Sequence, residues 1–281
     1  MTERPAEIAA RIENVRQLDS VVTAIRGIAA SRAQQSRNLL AGIGAYANTV
    51  SMAIGEALHF FPEQPARPTD AARDGHALIL FCAEQGFAGG LSDRVIEAAG
   101  SIAPGTRVIV VGSRGSAIAT ERGLRVDQTI PMANQINGVS LIANRIADAV
   151  YNLVATGAVT RADILCPKFD GSRDLTIERS ALVPIELEKF RRPAAAFTPL
   201  ATLKPQTLIE RLTAEYVYAR LCEAAMHAFI AENEARMQTM SAASSNIDRN
   251  LSELLRRQNQ IRQEAVTAEI VELAANRVRP P

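Results

Sequence analysis

The last quarter of the chain, residues 206–279, runs for about 74 residues without a glycine or a proline, the two residues that end or weaken helices. A helix of that length extends on the order of 110 Å at 1.5 Å per residue, several times what a compact domain of this size can bury. It must project. Stepping by fours and threes gives Met226, Ile230, Asn233, Met237, Met240, Ser244, Ile247, Leu251, Leu254, Gln258, Ile261, Ala265 and Ala268. This seam of coiled-coil period is apolar except at Asn233, Ser244 and Gln258, and Glu and Arg fill the other faces. A seam that narrow needs a partner helix.

The start of the chain offers one. Residues 5–58 carry a second long helical pattern through Ile8, Ile12, Val15, Leu18, Val22, Ile25, Ile28 and Ala29, then Leu39, Leu40, Ile43, Ala47, Val50, Ile54 and Leu58. Pro5 suits a first helical turn, and Gly27, Gly42 and Gly44 each cost a little propensity in return for close packing or a bend. Phe61-Pro62 stops the pattern, and Pro65 and Pro68 mark a linker.

Between the helices the pattern shifts to short apolar runs alternating with helical ones. Residues 77–83 and 107–112 read as buried strands, each followed by a glycine-bearing turn and a helix, near 91–99 and 116–122. Residues 126–130 form a weaker strand, 139–155 an amphipathic helix, and 163–169 with 175–185 a hairpin about Asp170-Gly171. The alternation predicts an α/β fold with a small, mostly parallel, Rossmann-like sheet. Pro193, Pro199 and Pro205 punctuate the return. The expected division is an N-terminal coiled-coil helix (1–60), a linker (61–76), an α/β foot (77–192), a linker (193–205) and a C-terminal coiled-coil helix (206–281). Because a domain joins the end of one helix to the start of the other, the two must pair as a long antiparallel coiled coil.

Composition removes several functions. A formal charge of +1 gives no global field toward nucleic acid or an anionic membrane, and the absence of Trp with only 4% aromatic residues removes the stacking platforms of a single-strand binder. Cys82, Cys166 and Cys222 lie far apart in apolar contexts, as buried free thiols of a reducing compartment do. Glu3 and Glu7 and the absence of an apolar core in the first ten residues fit neither a secretory signal nor a transit peptide. No window reaches the 18 or so consecutive apolar residues of a membrane span, so any membrane association is expected to run through partners.

Little local chemistry remains. The one phosphate-type element, Gln85-Gly86-Phe87-Ala88-Gly89-Gly90, follows the first strand but matches neither a dinucleotide fingerprint nor a P-loop, and no Lys follows it. A tight turn whose glycines serve backbone geometry is the plain reading; a ligand docked at a strand-to-helix turn is the sharper one. His59, His76 and His227 have no second ligand at helical spacing, so neither a metal nor a cofactor is expected, and no catalytic grouping is visible locally. Arg26, Arg32 and Arg37 form the most asymmetric charge patch, either a solvated face or a positive collar for an acidic partner.

Both ends carry a resemblance. Arg11-Ile12-Glu13-Asn14-Val15-Arg16 followed by residues 23–32 (TAIRGIAASR) resembles the amino-terminal signature of the gamma subunit of F-type ATP synthases. Residues 234–240 (EARMQTM) and 262–270 (RQEAVTAEI) resemble that family's closing helix, and residues 85–91 (QGFAGGL) are similar to its Gly-Leu-Cys-Gly-Gly turn. The match covers essentially the whole chain in order. Ala24 stands where the family usually has Lys, Gly27 where it has Met and Ala88 where it often has Cys, and the tail ends in Pro280-Pro281 instead of a Gly-Ala-Ala run, as in a divergent branch.

The resemblance implies a non-catalytic rotor: paired helices turning inside a ring of alpha and beta subunits, and a foot on the membrane c-ring that binds the epsilon subunit. It implies a peripheral place on the cytoplasmic face of the bacterial inner membrane. Carried over by position, Arg236, Gln263 and Thr267 match residues that hydrogen-bond a beta-subunit loop, with Arg262 and Glu269 flanking them in the motif. Arg26 and Arg32 keep positive charge at matching places, and Gly86, Gly89 and Gly90 keep the foot's turn. A coiled-coil tether and a nucleotide-binding α/β enzyme are the competing readings.

Overall fold

The computed structural model describes residues 5–61, 75–169, 175–190 and 200–277, the side chains as far as residue 272. The expected turn at Asp170-Gly171, most of both proline-bearing linkers and the last four residues of the tail lie outside these. Two helices dominate the chain: α1 (Pro5–Ala57, 53 residues) and α5 (Pro205–Arg277, 73 residues). Between them come β1 (His76–Phe81), α2 (Leu91–Ala99), β2 (Arg107–Val111), α3 (Ser113–Glu121), β3 (Gln128–Ile130), α4 (Val139–Ala155), β4 (Arg161–Phe169) and β5 (Leu175–Val183). No described helix is long and apolar enough to cross a membrane.

The strands form one five-stranded sheet in the order β3-β2-β1-β4-β5. The first four run parallel, and β5 returns antiparallel against β4, as the hairpin pattern predicts. Alternation along the strands divides the sheet into two faces. Leu78, Leu80, Cys82, Val108 and Val110 pack with Val95 and Ala99 of α2 and Ala119 of α3. Ala77, Ile79, Phe81, Ile109 and Ile164 face the other way, into a core built by Ile142, Ile146 and Val150 of α4 and by Val217, Leu221, Ala225, Met226, Phe229 and Ile230 of α5. The first third of α5 is therefore a core helix of the sheet. The three cysteines are free and buried.

The chain divides into two compact units, residues 30–236 and residues 1–29 with 237–281, and each long helix contributes to both. The unit around the sheet is larger than the expected foot of 77–192. The apolar face of α5 is wide where it covers the sheet and narrows to a seam only afterwards. Within this unit α1 runs antiparallel to α5: Arg37 pairs with Glu234, and further along α1 the Tyr46 hydroxyl bonds Glu215 further back on α5. Val50, Ile54 and Leu58 then pack with Ile209, Leu212 and Tyr216.

In the other unit, Val15, Val22 and Ile25 pack with Met240, Ala243 and Ile247, and Ser244 Oγ donates to Asp19 Oδ1 at 3.4 Å. The buried line on α1 differs from the expected one. Leu18, Ile28 and Leu39, each more than half exposed, point away, while Asp19, Arg26, Ala33 and Ser36 take the inward positions. Those positions continue the three-four step from Ile8 through Val22 to Ile54 without a break, so strict heptad spacing overrides side-chain polarity. Gly27, Gly42 and Gly44 serve no close approach, since a Cβ at any of them would meet nothing within 4 Å. Ala265 and Ala268, at the end of the expected seam, are exposed as well.

Candidate functional site

The C-terminal edge of a parallel sheet is where open α/β folds bind ligands, and the glycine-bearing turn after β1 lies there. In this chain the position is filled from within. Glu232 of α5 reaches into the turn, where its carboxylate accepts from Glu84 N at 3.0 Å and from Gln85 N at 3.1 Å. Two converging backbone N–H groups that would cradle a phosphate hold a carboxylate instead. One turn further along α5, Arg236 Nη2 lies 2.5 Å from Glu232 Oε1, Nη1 donates to Asn233 Oδ1 at 3.3 Å and Nε donates to the Gly86 carbonyl at 3.3 Å. Asn233 in turn donates to the Phe229 carbonyl at 2.8 Å.

These side chains sit in the interior: Glu232 is 4% exposed, Asn233 1% and Arg236 6%. Burial on that scale is tolerable only because each donor and acceptor is matched. A second carboxylate closes the neighbouring position. Glu84 accepts from Ser113 N and Oγ, both at 2.9 Å, at the start of α3, and from Met132 N at 2.7 Å. Ser92 Oγ, in the first turn of α2, accepts from Ala83 N at 3.1 Å. The turn is thus tied to α2, α3, the segment after β3, and α5.

Of the three expected turn glycines, only Gly89 has a left-handed backbone, at φ 57°. Gly86 and Gly90 have neither a positive φ nor a neighbour that a Cβ would touch. Phe87 takes φ 62° itself while 65% exposed, a conformation that a bulky residue holds only where its surroundings impose it. The glycines that geometry requires lie nearby. Gly112 has φ 120°, and a Cβ on Gly115 would stand 2.0 Å from the Cys82 Cβ, because α3 crosses the end of β1 at backbone contact.

The residues expected to meet a partner fall into two groups. Arg262, Gln263, Thr267 and Glu269 lie on the exposed end of α5, and Thr267 Oγ1 donates to the Gln263 carbonyl at 2.8 Å, so those two share a face. Arg236 parts from them, because its guanidinium is buried and committed within this chain. Arg26 and Arg32 are half-buried and Arg37 is held by Glu234, so the three do not form a freely solvated run. Glu232 was not among the expected site residues. A signal existed: Glu232 directly follows the mostly apolar stretch 224–231 and stands four residues before Arg236. Among the described residues no three His, Cys, Asp or Glu side chains gather to hold a metal.

Comparison with known proteins decides the family. The sequence profile of a family described as ATP synthase matches residues 5–276, nearly the entire chain. The chain belongs to the ATP synthase gamma-chain family. It is 24% identical over 272 residues to the ATP synthase gamma chain of Clostridium acetobutylicum, covering 95% of this chain and 94% of that one. The gamma chain of Burkholderia ambifaria is 25% identical over 282 residues, covering 95% and 96%.

Solved structures agree on the fold of the family member described here. The rotor of the Euglena gracilis mitochondrial ATP synthase matches with a TM-score of 0.62 at 13% identity, covering 93% of this chain and 98% of that one. The central stalk and c-ring structure from Tetrahymena thermophila contains a chain matching with a TM-score of 0.56 at 15% identity, covering 80% and 99%. The family resemblance read at both ends of the sequence therefore holds along its length.

Proposed function

We propose that this chain is the central rotor shaft of an F-type ATP synthase, coupling ion-driven rotation of a membrane ring to conformational cycling of catalytic sites in a hexamer of alpha and beta subunits. The observation that carries this reading, within the family just established, is the double use of α5. Its residues 217–230 are core of the α/β unit, and the same unbroken helix continues into the paired seam with α1. No Gly or Pro interrupts α5 between those regions.

The α/β unit is the part that engages the membrane ring and the epsilon subunit, on the cytoplasmic face of a bacterial membrane. Arg262, Gln263, Thr267 and Glu269 contact a beta-subunit loop: they are exposed, polar, and have no side-chain ion pair or hydrogen bond to another described side chain. Arg26 and Arg32 contribute positive charge on α1. The nucleotide-enzyme reading loses its site, since the turn's N–H groups already hold Glu232.

The test is ATP hydrolysis by the alpha and beta subunits of the same complex, with and without this chain, alongside Gln263→Ala with Thr267→Ala. Sustained turnover on adding the chain, altered by the double variant, supports the shaft. A chain that assembles with neither subunit overturns it in favour of a tether.

A further inference from the structure

We propose that Glu232, Arg236 and the turn at residues 84–86 form a torsional lock that fixes the rotational setting of α5 in the α/β unit. The lock makes helix and sheet turn as one body under load. This inference rests on the rotor reading above.

The apolar contacts of α5 over the sheet, from Val217 to Ile230, resist separation but carry no direction, so a helix rolled about its axis can slide from one to the next. The polar contacts differ. Glu232 and Arg236 lie one turn apart on one face of α5 and make three directional bonds to the turn, through Glu84 N, Gln85 N and the Gly86 carbonyl. Rolling the helix breaks all three together. The ion pair between the two side chains keeps both arms at one setting.

Arg236 is the last residue of α5 within the compact unit, so a twist carried by the helix meets these bonds first. The gripped turn is anchored on its far side to α2 through Ser92, to α3 through Ser113 and to Met132, which spreads the load over the sheet edge. Phe87, next to the gripped Gly86, has a left-handed backbone at φ 62°.

The test uses the full chain in its complex with its own alpha, beta and membrane subunits, in sealed vesicles, with ATP hydrolysis and ion uptake measured together for wild type, Glu232→Gln and Arg236→Lys. Hydrolysis is expected to stay within about twofold of wild type while ions moved per ATP fall about threefold or more, a split that general destabilisation does not produce. In the isolated full chain, the Glu84 and Gln85 amides are expected to exchange about tenfold faster in Glu232→Gln. Unchanged exchange, or a ratio of ions to ATP equal to wild type, overturns the lock. So does failure of every variant to assemble while wild type assembles, since the pair is then a folding element only. A wild-type complex that hydrolyses ATP without moving ions overturns the rotor reading itself, and the lock with it.

Discussion

Arg236 Nη2 lies 2.5 Å from Glu232 Oε1 on the neighbouring turn of α5, and that carboxylate also accepts the Glu84 and Gln85 amides of a turn about 150 residues away in sequence. Both side chains are buried, so removing one partner strands a charge. Arg236→Met is expected to destabilise the chain by about 3–5 kcal/mol. Glu232→Gln keeps an acceptor for one amide and is expected to cost about 2 kcal/mol. Denaturant unfolding of the isolated chain reads both. The double variant should cost less than the sum, the mark of a coupled pair.

Glycines separate by what surrounds them. Gly115→Ala drives a Cβ to 2.0 Å from the Cys82 Cβ, and Gly112→Ala adds a Cβ 2.5 Å from the Cys82 carbonyl oxygen at φ 120°. Each is expected to lower stability by about 1–3 kcal/mol. Gly42→Ala and Gly44→Ala meet nothing within 4 Å on a helical backbone, so each is expected to raise stability by about 0.5–1 kcal/mol. Opposite shifts of the melting temperature are the readout.

At the exposed end of α5, replacing Arg262, Gln263, Thr267 or Glu269 by Ala is expected to leave stability within about 0.5 kcal/mol of wild type. Circular dichroism melts of the isolated chain check this. ATP turnover of the reconstituted complex should respond all the same. Inert variants there would sink the proposed beta-subunit contact.

Stability should fall at both ends of the pH range. Burial, with the nearby Lys168 adding to it, holds the His227 pKa below its ordinary 6.5. The unfolded chain thus binds a proton that the folded chain refuses, and stability drops as pH falls below that value. Burial pushes the Cys82 thiol from 9.0 up to about 12, and moves Cys166 in the same direction. Tyr46 rises to about 12 through burial and then its bond to Glu215. Above pH 9 the unfolded thiols lose protons that the folded ones keep, so stability declines as pH rises. Unfolding midpoints from pH 5 to 10 should trace a plateau between the two limits, and His227→Gln should flatten its acid side. The same burial predicts that Cys82 and Cys166 resist alkylation at pH 8 until the chain unfolds.

The sequence by itself determined the long helices, because each carries a sustained apolar repeat of helical period, and the second keeps it without a Gly or Pro from 206 to 279. It also determined the strands and the parallel sheet, through short apolar runs alternating with helical ones, and the burial of the three thiols. Periodicity specifies which residues share a face, and Gln263 and Thr267 do share one. It does not specify what that face meets. Leu18, Ile28 and Leu39 belong to the helical pattern of the first helix and lie outside, because the pairing geometry keeps to a 3.5-residue step whatever side chains occupy it. Only the tertiary structure decided that α5 completes the sheet's core, that Arg236 turns inward, and that Glu232 fills the turn after β1. Those choices join residues 84–86 to residues 232 and 236, and no local pattern encodes contacts between segments so far apart in the chain.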